Sequence, residues 1–230
     1  MQFPSLHYSV SRIIEKKYHV FDCDGVLVDS NMLKVEALKS TLSSLGSPDE
    51  FIHWAAEEFR VNFGRTRSDH FDAFLQYTGV GDYRMDPLCV NWALEHYGKQ
   101  VEILYLSCQL IEESISYISL NVSSENSFVV SASSQVELRA VLPVRVPSFS
   151  NERIFGGPVK KAENLKELAV EFGVGDMVFY GDAVQDAKVA MEVGVLFVGL
   201  AKFSADPMGL KRFCFDNGLI CFDSCSEIIS

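Results

Sequence analysis

Apolar and polar positions follow two different periods along this chain, and the change of period divides it into three zones. The first zone is short. In it YHVFD, residues 18 to 22, is an apolar run closed by an acid and reads as a buried strand. From about residue 30 to 118 the period lengthens to that of helices, in MLKVEALKSTLSSLG, PDEFIHWAAEEFRVNF, SDHFDAFLQYTG and VEILYLSCQLIEESISYI. Gly46, followed by Ser47, Pro48 and Asp49, is a stop and a restart between two of these helices. After about residue 127 short apolar runs alternate with helical stretches: SFVVSA, SQVELRAVL, KKAENLKELAVEFG, MVFYGD, AVQDAKVAMEVG and VLFVGL, with LICF as a late edge strand. That alternation predicts βαβ units on a parallel sheet. Between them lies VLPVRVPSFSNERIFGG, residues 141 to 157, for which the sequence predicts a short strand around Ile154 and Phe155, with Pro143 and Pro147 limiting regular structure before it.

The simplest architecture is an α/β fold, a Rossmann-like doubly wound parallel sheet with an inserted α-helical cap. Residues 1–29 and 119–230 form the core and residues 30–118 the cap. In such sheets the ligand crevice lies beyond the C-terminal ends of the strands. Asp22, Ser131 and Asp182 each stand where an apolar run stops, so the fold can gather them in one place.

Composition narrows the partners. Apolar residues make up 48% of the chain and charged ones 22%, the profile of a globular protein with a sizeable core. A formal net charge of −11 argues against broad binding to nucleic acid or to an anionic membrane, both of which want a basic face. The N-terminal stretch lacks the apolar core of a signal peptide, and no run of about 18 apolar residues occurs, so a cytoplasmic protein is expected. The six cysteines have no CxxC spacing and predict neither a zinc site nor a disulfide framework.

The acids carry the chemistry. Asp182 follows a strand and Asp186 comes one helical turn later; with Asp22 they offer hard oxygen ligands, which suits Mg²⁺ better than zinc. Ser131 is followed by Ala132 and Ser133, whose N–H groups can meet an oxyanion near a helix start. Lys160 and Lys161 begin another helix facing the same crevice. The set suits a phosphoryl group. Simpler roles exist for each part, since Asp24 before Gly25 is also a turn signal and Asp182 also suits a helix cap.

These residues carry a family resemblance. FDCDGVLVDS resembles the first motif of the haloacid dehalogenase superfamily, VVSASSQVEL the second, GGPVKKAENL the lysine motif and VFYGDAVQD the last acidic motif. Their order and separation match too, and the helical insertion after the first motif resembles the cap of the phosphoglycolate phosphatase and beta-phosphoglucomutase subgroup. The resemblance implies Asp22 as nucleophile, forming an aspartyl phosphate, and Asp24 as the acid and base. Mg²⁺ is then held by Asp22, the backbone carbonyl of Asp24, and Asp182, with Asp186 as ligand or brace. Ser131, the N–H of Ala132 and a lysine hold the phosphoryl oxygens. Lys161 fits the family spacing of Pro158 and Glu163 better than Lys160, which stays open as the alternative. The implied activity is a Mg²⁺-dependent phosphoric monoester hydrolase acting on a small phosphorylated metabolite: a sugar phosphate, a sugar-acid phosphate or phosphoglycolate. The motifs leave a phosphomutase open, and more distantly a non-catalytic regulatory protein of the same fold; either a monomer or a homodimer is compatible. Specificity is expected from FRVNFGRTRSDHF, residues 59 to 71, where Arg60, Arg65, Arg67 and His70 flank Gly64. Arg65 and Arg67 are the expected substrate contacts.

Overall fold

Each apolar run of the first and third zones becomes a strand because its side chains alternate between two separate cores. Val20, Phe128, Val130, Phe179 and Phe197 enter one core, while Phe21, Val129, Val178, Tyr180 and Val198 enter the other. Strands buried on both faces need helices on both sides, which is the parallel α/β solution. The computed structural model describes residues 6–78 and 83–229. Gly79, at the end of the SDHFDAFLQYTG stretch, and residues 1–5 of the N-terminal stretch lie outside them.

In chain order the elements are α1 (Leu6–Ile14), β1 (Tyr18–Phe21), α2 (Asn31–Ser44), α3 (Asp49–Val61), α4 (Arg67–Leu75), α5 (Val90–Ser107), α6 (Glu112–Asn121), β2 (Ser127–Ser134), α7 (Gln135–Arg145), β3 (Ile154–Gly157), α8 (Lys161–Phe172), β4 (Met177–Gly181), α9 (Val184–Val193), β5 (Leu196–Leu200), α10 (Pro207–Asn217), β6 (Ile220–Phe222) and α11 (Ser226–Ile229). All pairings are parallel and the strand order is β3-β2-β1-β4-β5-β6. This is the doubly wound order, in which the connections reverse direction between β1 and β4 and open a crevice at that point. Phe21 lies opposite Val129 on one side and Tyr180 on the other, so Asp22, Ser131 and Asp182 all follow closely from adjacent register positions.

Helices α2 to α5 form a layer of their own around Leu38, Phe51, Ala55, Phe59, Phe71, Phe74, Tyr97 and Val101, continuous with one of the two sheet cores. The chain enters and leaves this layer through paired linkers: Asp29 N–H donates to Gln109 O (2.9 Å) and Ile111 N–H to Leu27 O (2.9 Å). The return crossing therefore comes before residue 118, the expected end of the insertion. The apolar pattern of VEILYLSCQLIEESISYI, which runs on across this point, is cut between Ser107 and Glu112, and α6 packs on the sheet side. Its Tyr117 hydroxyl is 2.9 Å from that of Tyr180, and its Ser114 bonds Cys225. Helix α7 also runs further than Pro143 suggested, to Arg145. Buried Leu142 and Val146 hold that last turn to the core, and the Arg145 guanidinium donates to the carbonyls of Tyr105 (2.7 Å) and Cys108 (2.5 Å). The six cysteines are free thiols.

Candidate active site

The loop after β1 turns because Gly25 has φ +69°. A side chain there would meet Asp182 Oδ2 at 2.2 Å, so glycine serves both the turn and the approach of the two acidic loops. On that loop Asp22 and Asp24 are both buried, at 4% and 8% exposure, but they face different surroundings.

Asp22 faces the sheet. Its Oδ2 lies 2.9 Å from Lys161 Nζ, which also bonds Asp186 Oδ1 at 2.6 Å. Oxygens of Asp22, Asp182 and Asp186 lie within 4.8 Å of one another. Asp186 is fully buried; its other oxygen accepts from Ala183 N–H (3.2 Å), so it caps α9 while bracing Lys161. Asp182 accepts from Asn31 Nδ2 (2.6 Å), which also reaches Phe203 O. Burial, only partly countered by Lys161 and reinforced by the charges of Asp186 and Asp24, pushes the Asp22 carboxyl up to about 7. Burial and the charges of Asp186 and Asp22 drive Asp182 well above the carboxylate range. Burial opposes the charge of Lys161, but Asp186 and Asp22 outweigh it and raise its pKa. Three carboxylates facing one ammonium leave an excess of negative charge, and the donors are all hard oxygens with no thiol or imidazole among them. The set fits a divalent ion such as Mg²⁺.

Asp24 faces the helical layer. Its Oδ2 accepts from Lys34 Nζ (2.6 Å), Ser133 Oγ (2.9 Å) and the Tyr105 hydroxyl (3.1 Å), and its Oδ1 from Ser30 Oγ (2.5 Å) and the same hydroxyl (2.9 Å). Burial works to raise its pKa, yet the Lys34 charge and these hydrogen bonds prevail and hold it below the usual carboxylate range. Its carboxylate is turned away from the three-acid cluster.

Ser131 is buried within β2, ahead of its last residue Ser134, and its Oγ accepts from Ser133 N–H (3.2 Å). The β2–β3 ladder is irregular between Val130 and Ser134, which takes Ala132 out of regular strand pairing beside the cleft. Of the two adjacent lysines, Lys161 is buried in the site and Lys160 is exposed on the outside, at the N-cap of α8.

The helical layer closes the cleft from above with Phe59, Phe63, Tyr97 and His70, and Gly64, at φ +95°, rests within 3.4 Å of Asp186 Oδ1 measured from where a Cβ would stand. Little free space remains between this layer and the acids. Arg67 lines the cleft but is tied to the core, its guanidinium held by both oxygens of Glu137 on α7. Arg65, at the rim, is 40% exposed and 3.4 Å from Glu58. Arg60 donates to Ala205 O (2.7 Å), a second tie across the cleft. Lys34, Tyr105 and Asn31 lie outside the four motif segments, and Ser30 and Ser133 lie inside them with side-chain bonds to Asp24 that the motifs do not announce; their part is set by packing between layers.

No family model matches the sequence, and no curated protein matches it. Solved structures do. A haloacid dehalogenase-like family hydrolase from Streptococcus pneumoniae superimposes with a TM-score of 0.68 at 17% identity, covering 95% of this chain and 98% of that one. A predicted phosphoglycolate phosphatase from Haemophilus somnus gives 0.69 at 17% identity over 94% and 97%, and CbbY from Rhodobacter sphaeroides in complex with phosphate gives 0.64 at 17% over 93% and 96%. Coverage of nearly both full lengths includes the sheet and the helical layer together. The chain has the haloacid dehalogenase-like fold, and its four motif segments meet in one cleft at the switch point of the sheet.

Proposed function

We propose that this protein is a Mg²⁺-dependent phosphatase that hydrolyses a small phosphorylated metabolite through an aspartyl phosphate on Asp22. The observation that carries this reading is the convergence at one buried point of Asp22, Lys161, Asp182 and Asp186, brought together from segments far apart in the sequence. The phosphate-bound structural neighbour supports the same substrate chemistry. Residues 30 to about 108 act as the cap.

Asp22, Asp182 and the carbonyl of Asp24 would hold the metal, with Asp186 bracing the set. Such an ion would neutralise charge on the phosphoryl oxygens and favour the ionised form of Asp22. Ser131, the Ala132 N–H and Lys161 hold the remaining phosphoryl oxygens as charge spreads over them. An Asp22 oxygen attacks phosphorus, the ester bond breaks and the leaving oxygen takes a proton from Asp24. A water then attacks the phosphorus and gives its proton to Asp24, and the bond to Asp22 breaks. The surroundings that hold the Asp24 carboxyl below the usual range favour the ionised form that accepts this second proton. To donate the first, Asp24 takes up a proton from solvent before the ester bond breaks.

Release of inorganic phosphate from a panel of phosphate monoesters tests the proposal, with Mg²⁺, with a chelator, and with Asp22→Asn. Turnover that needs both Mg²⁺ and Asp22 is expected. Isomer formation stimulated by a bisphosphate, without phosphate release, makes the protein a mutase instead, and no reaction with any ester removes the catalytic reading.

A further inference from the structure

We infer that His70 is a specificity-determining residue that hydrogen-bonds an uncharged hydroxyl of the leaving group, so that the preferred ester is the monophosphate of a neutral polyol or sugar. The inference rests on the phosphatase reading above and narrows it.

His70 Nδ1 is the one buried side-chain polar atom among the described residues with no hydrogen-bond partner. The residue is 2% exposed, lines the cleft above the catalytic cluster and packs against Phe59 with ring centroids 4.4 Å apart. A buried nitrogen left unpaired is costly, and a ligand that supplies the missing partner relieves that cost only when bound. Burial and the charges of Arg65 and Lys34 hold the imidazole far down, at about 3, so it meets the ligand as a neutral ring. A neutral ring exchanges hydrogen bonds with a hydroxyl and offers no counter-charge to a carboxylate or a second phosphate.

The charges around it point the same way. Four cationic side chains line the cleft, and carboxylates already occupy them. Lys34 is on Asp24, Lys161 on Asp22 and Asp186, Arg67 on Glu137, and Arg65, the loosest, on Glu58 at the rim. A second anionic group on the substrate would need a free, well-oriented guanidinium or ammonium, and the closed cleft keeps none in reserve. Phe59, Phe63 and Tyr97 supply the apolar remainder, the usual lining of a pocket for a compact ligand with a few oriented polar groups.

The test compares kcat/KM for three esters of similar length: a polyol monophosphate, the alkyl monophosphate lacking its hydroxyls, and 2-phosphoglycolate, with p-nitrophenyl phosphate as a general reporter of phosphatase activity. The polyol ester is expected to exceed the alkyl ester by about tenfold or more, the worth of one oriented hydrogen bond. His70→Phe should collapse that ratio by about tenfold, mainly through KM, and His70→Asn, which keeps a donor and an acceptor, should restore part of it. Thermal melting of both variants separates loss of specificity from loss of folding. Preference for phosphoglycolate, or a polyol-to-alkyl ratio unchanged in a folded His70→Phe protein, overturns the inference while the phosphatase reading stands. Absence of turnover on every ester, the aryl reporter included, overturns both.

Discussion

The floor and the roof of the cleft are built on opposite principles. The floor, at the strand ends, holds three buried acids and one lysine within a few ångströms. The roof, contributed by α2 to α5, is aromatic, its cleft-lining cations are paired with carboxylates, and the one buried side-chain polar atom among the described residues without a partner is His70 Nδ1. Asp22 and Asp24, two residues apart, fall on either side of this divide. Burial among like charges raises the first, while the roof's lysine and hydroxyls lower the second. Spacing along the chain sets the chemistry available to the two acids, but the layer each one faces sets its protonation state. Under the proposed function, the nucleophile and the proton carrier share one loop and differ in the layer each one faces.

The comparison can be broken most severely at the floor. Asp22→Asn removes the attacking oxygen and should lower phosphate release by about 10⁴-fold or more, as loss of a covalent nucleophile does, with no comparable loss of folding. Steady-state assays and a melting curve on the same sample check both parts.

At the junction of the two regions, Lys34→Met leaves the Asp24 carboxylate buried without its cation. A destabilisation of about 3–5 kcal/mol is expected by chemical denaturation, the usual cost of breaking a buried pair from one side. Without Lys34 the Asp24 pKa rises, so the acidic limb of the kcat profile should move to higher pH. An unchanged profile would mean that roof and floor are independent.

Metal-free protein sharpens the electrostatic side. Asp22 takes up a proton in the folded state at a pH where the unfolded chain has lost it, so the folded form binds more protons between about pH 4 and about pH 7. Stability without metal therefore falls as pH rises through that window. A decline in Tm of about 5 °C, reversed by Mg²⁺ at neutral pH, is the expected result of a scanning fluorimetry series. Stability that rises with pH in that window would contradict the excess negative charge of the floor.

The smallest effects belong to the rim. Arg67→Ala cuts a largely buried, two-pronged contact between roof and floor and should cost about 1–3 kcal/mol in stability and speed exchange of amides in α4. Arg65→Ala, on a half-exposed pair at 3.4 Å, should change stability by less than about 0.5 kcal/mol. If the two variants behave alike, Arg67 is no more a tie than Arg65.

The floor was legible in the sequence because Asp22 and Asp182 directly follow strands while Lys161 and Asp186 stand in the first turns of the helices after strands, and buried strands announce themselves as short apolar runs. FDCDG, VVSAS and FYGDAVQD could be aligned in space once the parallel sheet was recognised, and the lysine doublet needed only a burial test, which Lys161 meets and Lys160 does not. The roof was not legible. Periodicity revealed helices but not the layer's return crossing at residues 109–111, because α6 continues the same apolar pattern against a different partner. Nor could Arg67, read as a substrate contact, show its tie to Glu137, since the two are 70 positions apart and meet only when the layers close.

By itself the sequence determined the class of fold, the order of the motifs and the identity of the acids, because these depend on local periodicity and on residues adjacent to strand ends. Only the tertiary structure decided which charges remain available. Ionisation and hydrogen-bond satisfaction depend on every group within a few ångströms, and in this cleft those groups come from helices and strands that the chain brings together late and from far apart.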